Sequence, residues 1–160
     1  MSWTRTSKTA SAADPAILRA KAIELLARRE HSHLELRQKL AQRGFPAELI
    51  DLALNELAES GLLNESRYTE MYASSRADKG YGPLRIASEL RERGIPQEQI
   101  DQALAELEND WLPKLRELHR KRFKLRIATD VAGRMQQTRF FRQHGFTLEQ
   151  IKRLFEILDA

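Results

Sequence analysis

No cysteine occurs among the 160 residues, which excludes disulfides and thiolate metal sites and suits a reducing cytoplasm. No apolar run is long enough to cross a bilayer, and no apolar segment follows the basic and hydroxyl residues of the N-terminus. Neither a membrane nor secretion is therefore expected. A glycine-rich phosphate loop, a nucleophile elbow and a carboxylate pair at a recognisable spacing are also missing, so no enzymatic activity and no cofactor are expected. The histidines supply no metal site. His31 and His33 stand two apart at a helix start and do not project to one face; with His119 and His144 they are expected at surfaces or caps.

What the chain does contain is a repeat. Ile50, Ala53, Leu54 and Leu57 have the i, i+3, i+4, i+7 spacing of one buried helix face. Ile100, Ala103, Leu104 and Leu107 repeat it, as do Ile151, Leu154, Phe155 and Leu158, and each set begins six residues after a glycine at Gly44, Gly94 or Gly145. A glycine there supplies the left-handed residue that ends a helix, and Pro46 and Pro96 fix the entry to the next one. Thr147 replaces the proline in the third unit, where Thr147 to Gln150 reads as a capping box.

The same punctuation divides the rest. Asp14 and Pro15 open a helix to about Arg29; Ser32 to Glu35 reads as a capping box before a helix over 33–43; a third spans 47–59. Asn64 caps a helix running to about Lys79, and Gly82-Pro83 opens the next. Later helices are expected over 113–126 and 130–144. The expected fold is all-α with about nine helices, an elongated and curved tandem array of three three-helix repeats at 14–62, 63–109 and 110–160, behind a flexible tail at 1–13 in which Trp3 has no assigned role. Units this small hold little core alone, so neighbours must pack together. A monomer is expected, because the repeated apolar faces can be satisfied within one chain.

Charge is distributed unevenly. Residues 1–19 carry a net +2, residues 20–110 a net −5 and residues 111–160 a net +7. A segment with that surplus is drawn to polyanions, nucleic acid above all, although a merely solvating face remains the other reading. On a continuous helix Lys114, Arg120, Lys121 and Lys124 share the arc opposite Trp111, Leu112, Leu115, Leu118, Phe123 and Leu125, which marks them as candidate contacts to a polyanion such as DNA. Arg122 falls within the apolar arc and is expected to snorkel or pair with a carboxylate. Arg76, Lys79, Tyr81 and Arg85 surround two glycines, Gly80 and Gly82. They read either as a second phosphate-binding candidate or as loop punctuation with Tyr81 half-buried between helices. Tyr68, Met71 and Tyr72 read as a core stripe.

Three stretches carry a family resemblance. Leu25-Leu26-Ala27-Arg28-Arg29-Glu30-His31-Ser32 leads to Leu36 and Leu40, Gly61 to Tyr68 follows as Gly-Leu-Leu-Asn-Glu-Ser-Arg-Tyr, and Lys79-Gly80-Tyr81-Gly82-Pro83 precedes Ile86, Leu90 and Gly94. In this order and spacing they resemble the RecX family of bacterial recombination regulators over about residues 17–158, with the third unit matched more by position than by letters. Many members have an aspartate in the turn where this chain has Asn64-Glu65-Ser66. The resemblance implies a non-enzymatic modulator, mainly an inhibitor, of the RecA recombinase. Such a protein lies in the groove of the RecA filament on single-stranded DNA and thereby affects recombination, DNA repair and the SOS response. It also implies interface or structural roles for Arg29, Arg67, Arg76 and Arg85. The alternative is a stand-alone helix-turn-helix-like DNA-binding protein, for which the mixed charges of residues 84–92 are poorly suited.

Overall fold

The computed structural model describes residues 14–160; the expected tail at 1–13, with Trp3, lies outside them. Those residues form nine α-helices and no strand, which is the all-α fold expected from the repeats. They divide into two compact units, one ending at Tyr68 and the other running from Thr69 to Ala160.

The first unit contains α1 (Pro15–Arg28), α2 (His33–Gln42), α3 (Ala47–Glu59) and the first turn of α4 (Glu65–Asp78). Asp14 caps α1 by accepting the Ala16 N–H at 2.9 Å, with Pro15 at the first helical position where no amide partner is lost. Ser32 caps α2 by accepting the Glu35 N–H at 3.1 Å. The expected capping box is not completed there: the Glu35 carboxylate turns to the Arg29 guanidinium, because a charge-assisted pair outcompetes a neutral amide. The core joins Leu18, Ala22 and Leu25 of α1 to Leu36 and Leu40 of α2, and these to the quartet Ile50, Ala53, Leu54 and Leu57 of α3. Each large aliphatic buried this way stabilises the unit by about 1.5–3 kcal/mol.

The second unit holds the remainder of α4, then α5 (Pro83–Glu92), α6 (Gln97–Glu106), a 3₁₀ turn (Glu108–Asp110), α7 (Trp111–Phe123), α8 (Val131–Gln143) and α9 (Leu148–Asp159). Its buried apolar residues come from both later repeats, among them Ile86, Leu90, Ile100, Trp111, Leu115, Phe141, Ile151 and Leu154.

One helix ending recurs in both units. The N–H of Phe45 reaches the Leu40 carbonyl, Tyr81 reaches Arg76, Ile95 reaches Leu90 and Phe146 reaches Phe141, while the glycine before each bonds three residues back. This is the Schellman closure, and Gly44, Gly80, Gly94 and Gly145 adopt the positive φ it needs. In all three repeats the two apolar residues flanking the closure are retained: Leu40 and Phe45, Leu90 and Ile95, Phe141 and Phe146.

Two expectations fail in the second unit. The helix drawn over 113–126 starts at Trp111 and stops at Phe123, because Lys124 and Leu125 take left-handed φ values of 57° and 61°. No glycine is present at that ending, so non-glycine residues bear the steric cost. Met71 is exposed, not core; of the Tyr68, Met71, Tyr72 stripe only Tyr68 is fully buried.

Candidate nucleic-acid interface

The cationic side chains of α7 divide by partner. Lys114 is half-buried and donates to Asp78 at 2.6 Å, and Arg120 grips Glu117 one turn away through two bonds of 2.6 and 2.8 Å. The Arg120 hydrogen bond holds the Glu117 carboxyl below its usual range. Lys121 and Lys124 are exposed and have no carboxylate within ion-pair distance among the described residues. The four residues therefore do not form one equivalent face. Lys124 lies past the end of α7 on the left-handed segment, which ends the periodicity that grouped it with the others. Arg122 is exposed, its guanidinium lying over the Phe123 and Phe140 rings at 5.5 and 5.6 Å, in keeping with its position in the apolar arc.

Arg76, Tyr81 and Arg85 come together in a joint built on two glycines. The backbone at Gly82 meets that at Gly145: Gly82 N–H donates to the His144 carbonyl at 2.6 Å and Leu84 N–H to the Gly145 carbonyl at 2.9 Å. A Cβ on Gly82 would stand 2.5 Å from the Gly145 carbonyl carbon, so only glycine permits this approach. Over the joint the guanidinium carbons of Arg76 and Arg85 lie 3.9 and 4.4 Å from the centroid of the Tyr81 ring, which also stacks on His144 at 5.7 Å. Glu89 holds both arginines, accepting from Arg76 at 2.7 and 2.9 Å and from Arg85 at 3.3 Å, and it also accepts the Tyr72 hydroxyl. Burial alone would raise the Glu89 pKa, but the bonds from Arg76, Tyr72 and Arg85 hold it below the ordinary carboxylate value. Burial and the bond to that carboxylate push the Tyr72 phenol up to about 12. Lys79, the fourth member of the cluster, is exposed and makes no ion pair among the described residues.

In the first unit Arg67 donates to Glu30 at 2.6 Å and to the Gly61 carbonyl at 3.3 Å, tying α4's first turn to the end of α1 and to the preceding loop. Arg29 pairs with Glu35 and donates to the Glu30 carbonyl at 3.0 Å. The histidine expectation needs correction. His31 is buried, with Nδ1 at 3.0 Å from the Arg29 carbonyl and Nε2 at 2.9 Å from Lys39 Nζ. His119 is fully buried, 3.3 Å from Gln137 and stacked against Phe141. Burial lowers the pKa of both rings. The position of His119 was readable in principle, since it follows Trp111 and Leu115 at successive intervals of four. Reading along α7 alone also passed over Arg139, Arg142, Lys152 and Arg153, exposed cations on α8 and α9.

Among the described residues no group of three or more His, Asp or Glu could hold a metal ion, and no helix is long and apolar enough to cross a membrane. Residues 19–57 match the description "RecX, first three-helix domain" and residues 64–104 match "RecX, second three-helix domain". Regulatory protein RecX of Pseudomonas entomophila strain L48 is 49% identical over 145 residues, covering 91% of this chain and 94% of the relative. The chain belongs to the RecX family. A second RecX relative, from Pseudomonas savastanoi pv. phaseolicola, is 49% identical over 140 residues, covering 88% of this chain and 90% of the relative. The fold is shared with crystallised RecX from Lactobacillus salivarius, at a TM-score of 0.79 and 20% identity over 91% of this chain and 96% of that one. A further RecX crystal structure aligns at 0.75 and 21% identity, covering 89% and 73% of the two chains. The matched RecX domains end at residue 104, ahead of the cationic side chains of α7. The two Pseudomonas relatives are each named a regulatory protein.

Proposed function

We propose that this chain is a regulator, mainly an inhibitor, of the RecA recombinase. It acts on the RecA filament formed on single-stranded DNA and so affects recombination, DNA repair and the SOS response. Membership of the RecX family is the observation that carries this reading. The molecule acts in the cytoplasm, where its filament partner is assembled. The basic third contributes the contact with nucleic acid, and the exposed side chains of Lys121 and Lys124, which form no ion pair among the described residues, are its foremost elements. Lys114 and Arg120 contribute less, because binding phosphate requires each to exchange an existing partner. Lys79 is an additional exposed contact, whereas Arg76, Tyr81 and Arg85 support the surface from within the joint.

The direct test measures RecA ATP hydrolysis on single-stranded DNA with substoichiometric amounts of this protein. Inhibition is expected; a rate left unchanged there and when the titration is carried on to excess would remove the regulator reading. The division of labour is tested separately by the salt dependence of filament binding. Replacing Lys121 and Lys124 with alanine is expected to reduce the slope of log K against log salt by about one per lost phosphate contact, and replacing Lys114 and Arg120 by less. Equal slopes for all variants and wild type would show that α7 and its C-terminal segment do not face DNA.

A further inference from the structure

A second surface in the same unit has a different chemistry. On α8 the residues Val131, Met135, Thr138 and Arg142 follow one another at intervals of four, three and four, which aligns them on one helix face. On α9 Leu148, Ile151 and Phe155 align in the same way. Ile151 and Phe155 are buried and form a floor, while Val131, Met135 and Leu148 stand 78%, 58% and 54% exposed along the rims. Two adjoining depressions share Arg134, Thr138 and Phe155, so the two stripes enclose one continuous furrow. Solvent-facing apolar rims over an apolar floor are costly unless something covers them.

The charge around the furrow indicates what that is. Arg139 and Arg142 line it from α8 and Lys152 from α9, all exposed and without a carboxylate within ion-pair distance among the described residues. Of the two acids that line it, Asp159 is already engaged by Arg134 at 2.9 Å, leaving Glu156 against three free cations. The rims are aliphatic. Stacked bases need exposed aromatic faces, and Phe155 is buried, so an oligonucleotide would gain from the cations but not from Val131, Met135 or Leu148. An acidic amphipathic helix satisfies both features, seating aliphatic anchors between the rims and pairing its carboxylates with the flanking cations.

We propose that the α8–α9 furrow is a docking site for an acidic amphipathic peptide segment of a protein partner. This goes beyond the nucleic-acid reading, whose foremost contacts, Lys121, Lys124 and Lys79, do not line the furrow. The test titrates the full chain into a fluorescein-labelled synthetic peptide of about 15 residues, with leucines at helical spacing and glutamates elsewhere, followed by anisotropy. Saturable binding with a Kd on the order of 10 micromolar is expected, weakened about tenfold or more by Met135→Asp or Leu148→Asp. Amide shifts of the wild-type protein should map to α8 and α9, a readout that needs no variant. An excess of unlabelled oligodeoxythymidylate should not displace the peptide. Equal binding of a same-composition peptide with scrambled leucines, displacement by the oligonucleotide, or shifts confined to other helices would each overturn the proposal. Peptide binding would survive even if RecA hydrolysis proved unaffected, so the two readings fail separately.

Discussion

Gly82 and Gly44 are both helix-boundary glycines, yet they carry different loads. Gly44 needs its positive φ of 87° but has open space where a Cβ would stand; Gly82 has an ordinary φ and no space at all. Gly44→Ala is expected to cost about 1 kcal/mol, the conformational term alone. Gly82→Ala should cost about 2–4 kcal/mol, because the obstructing atoms belong to the Gly145–Phe146 backbone. Urea midpoints of the two variants decide the matter, and equal losses would show that the backbones are not held in contact. Glu89 is the other residue on which the joint depends. Replacing it with glutamine removes the anchor of two guanidiniums and should cost about 1–3 kcal/mol at neutral pH. Its folded pKa is depressed, so its contribution is present above the ordinary carboxylate value and lost as pH falls through the lower folded one. The stability advantage of wild type over E89Q should accordingly narrow below about pH 4, as measured by urea unfolding across that range.

Among the helices, the three that close the repeats start in two ways. Pro46 and Pro96 precede α3 and α6 without any side-chain bond to the first turn. Thr147 starts α9 with a complete capping box: its Oγ1 accepts the Gln150 N–H at 3.1 Å, and the Gln150 side chain accepts the Thr147 N–H at 2.9 Å. Thr147→Ala is expected to lower stability by about 1 kcal/mol, with Thr147→Ser restoring most of it in thermal melts. This box was legible in the chain because the pattern is local. The same pattern at Ser32 was misleading, since Arg29, outside the four-residue window, captures Glu35. The end of α7 was obscure for a related reason. Nothing in Lys124-Leu125 marks a stop, yet both residues take left-handed φ values.

For the whole chain the two buried histidines give a common pH response, one in each compact unit. The folded pKa of His31 is lowered first by burial and then by the neighbouring charges of Arg29 and Lys39; that of His119 is lowered by burial against the opposing bond to Gln137. For both, stability is full above the ordinary value of 6.5 and declines as pH falls through the lower folded values, since the unfolded chain takes up protons first. Urea unfolding at pH 7.5 and 5.5 should show this loss. The double variant His31→Gln, His119→Gln should be less stable at the higher pH but lose less between the two. An identical pH dependence in the variant would mean that neither ring resists protonation in the folded state.

Periodicity and punctuation were sufficient for the number of helices among the described residues, the glycine stops and the whole quartet of α3, because helix faces and caps are set by residues within a few positions of one another; in the later quartets Leu104, Leu107 and Leu158 are only half-buried. The uneven charge was equally plain in the order of residues. Which cations remain free was not: Lys114 is claimed by Asp78, thirty-six residues away, and Arg76 and Arg85 by Glu89, while Lys121 and Lys124 have no such partner among the described residues. Nor could the local pattern foretell that Gly82 would meet Gly145 or that Met135 would share a furrow with Leu148. Those outcomes depend on where separate helices pack, and burial and long-range pairing arise only when the chain has closed on itself.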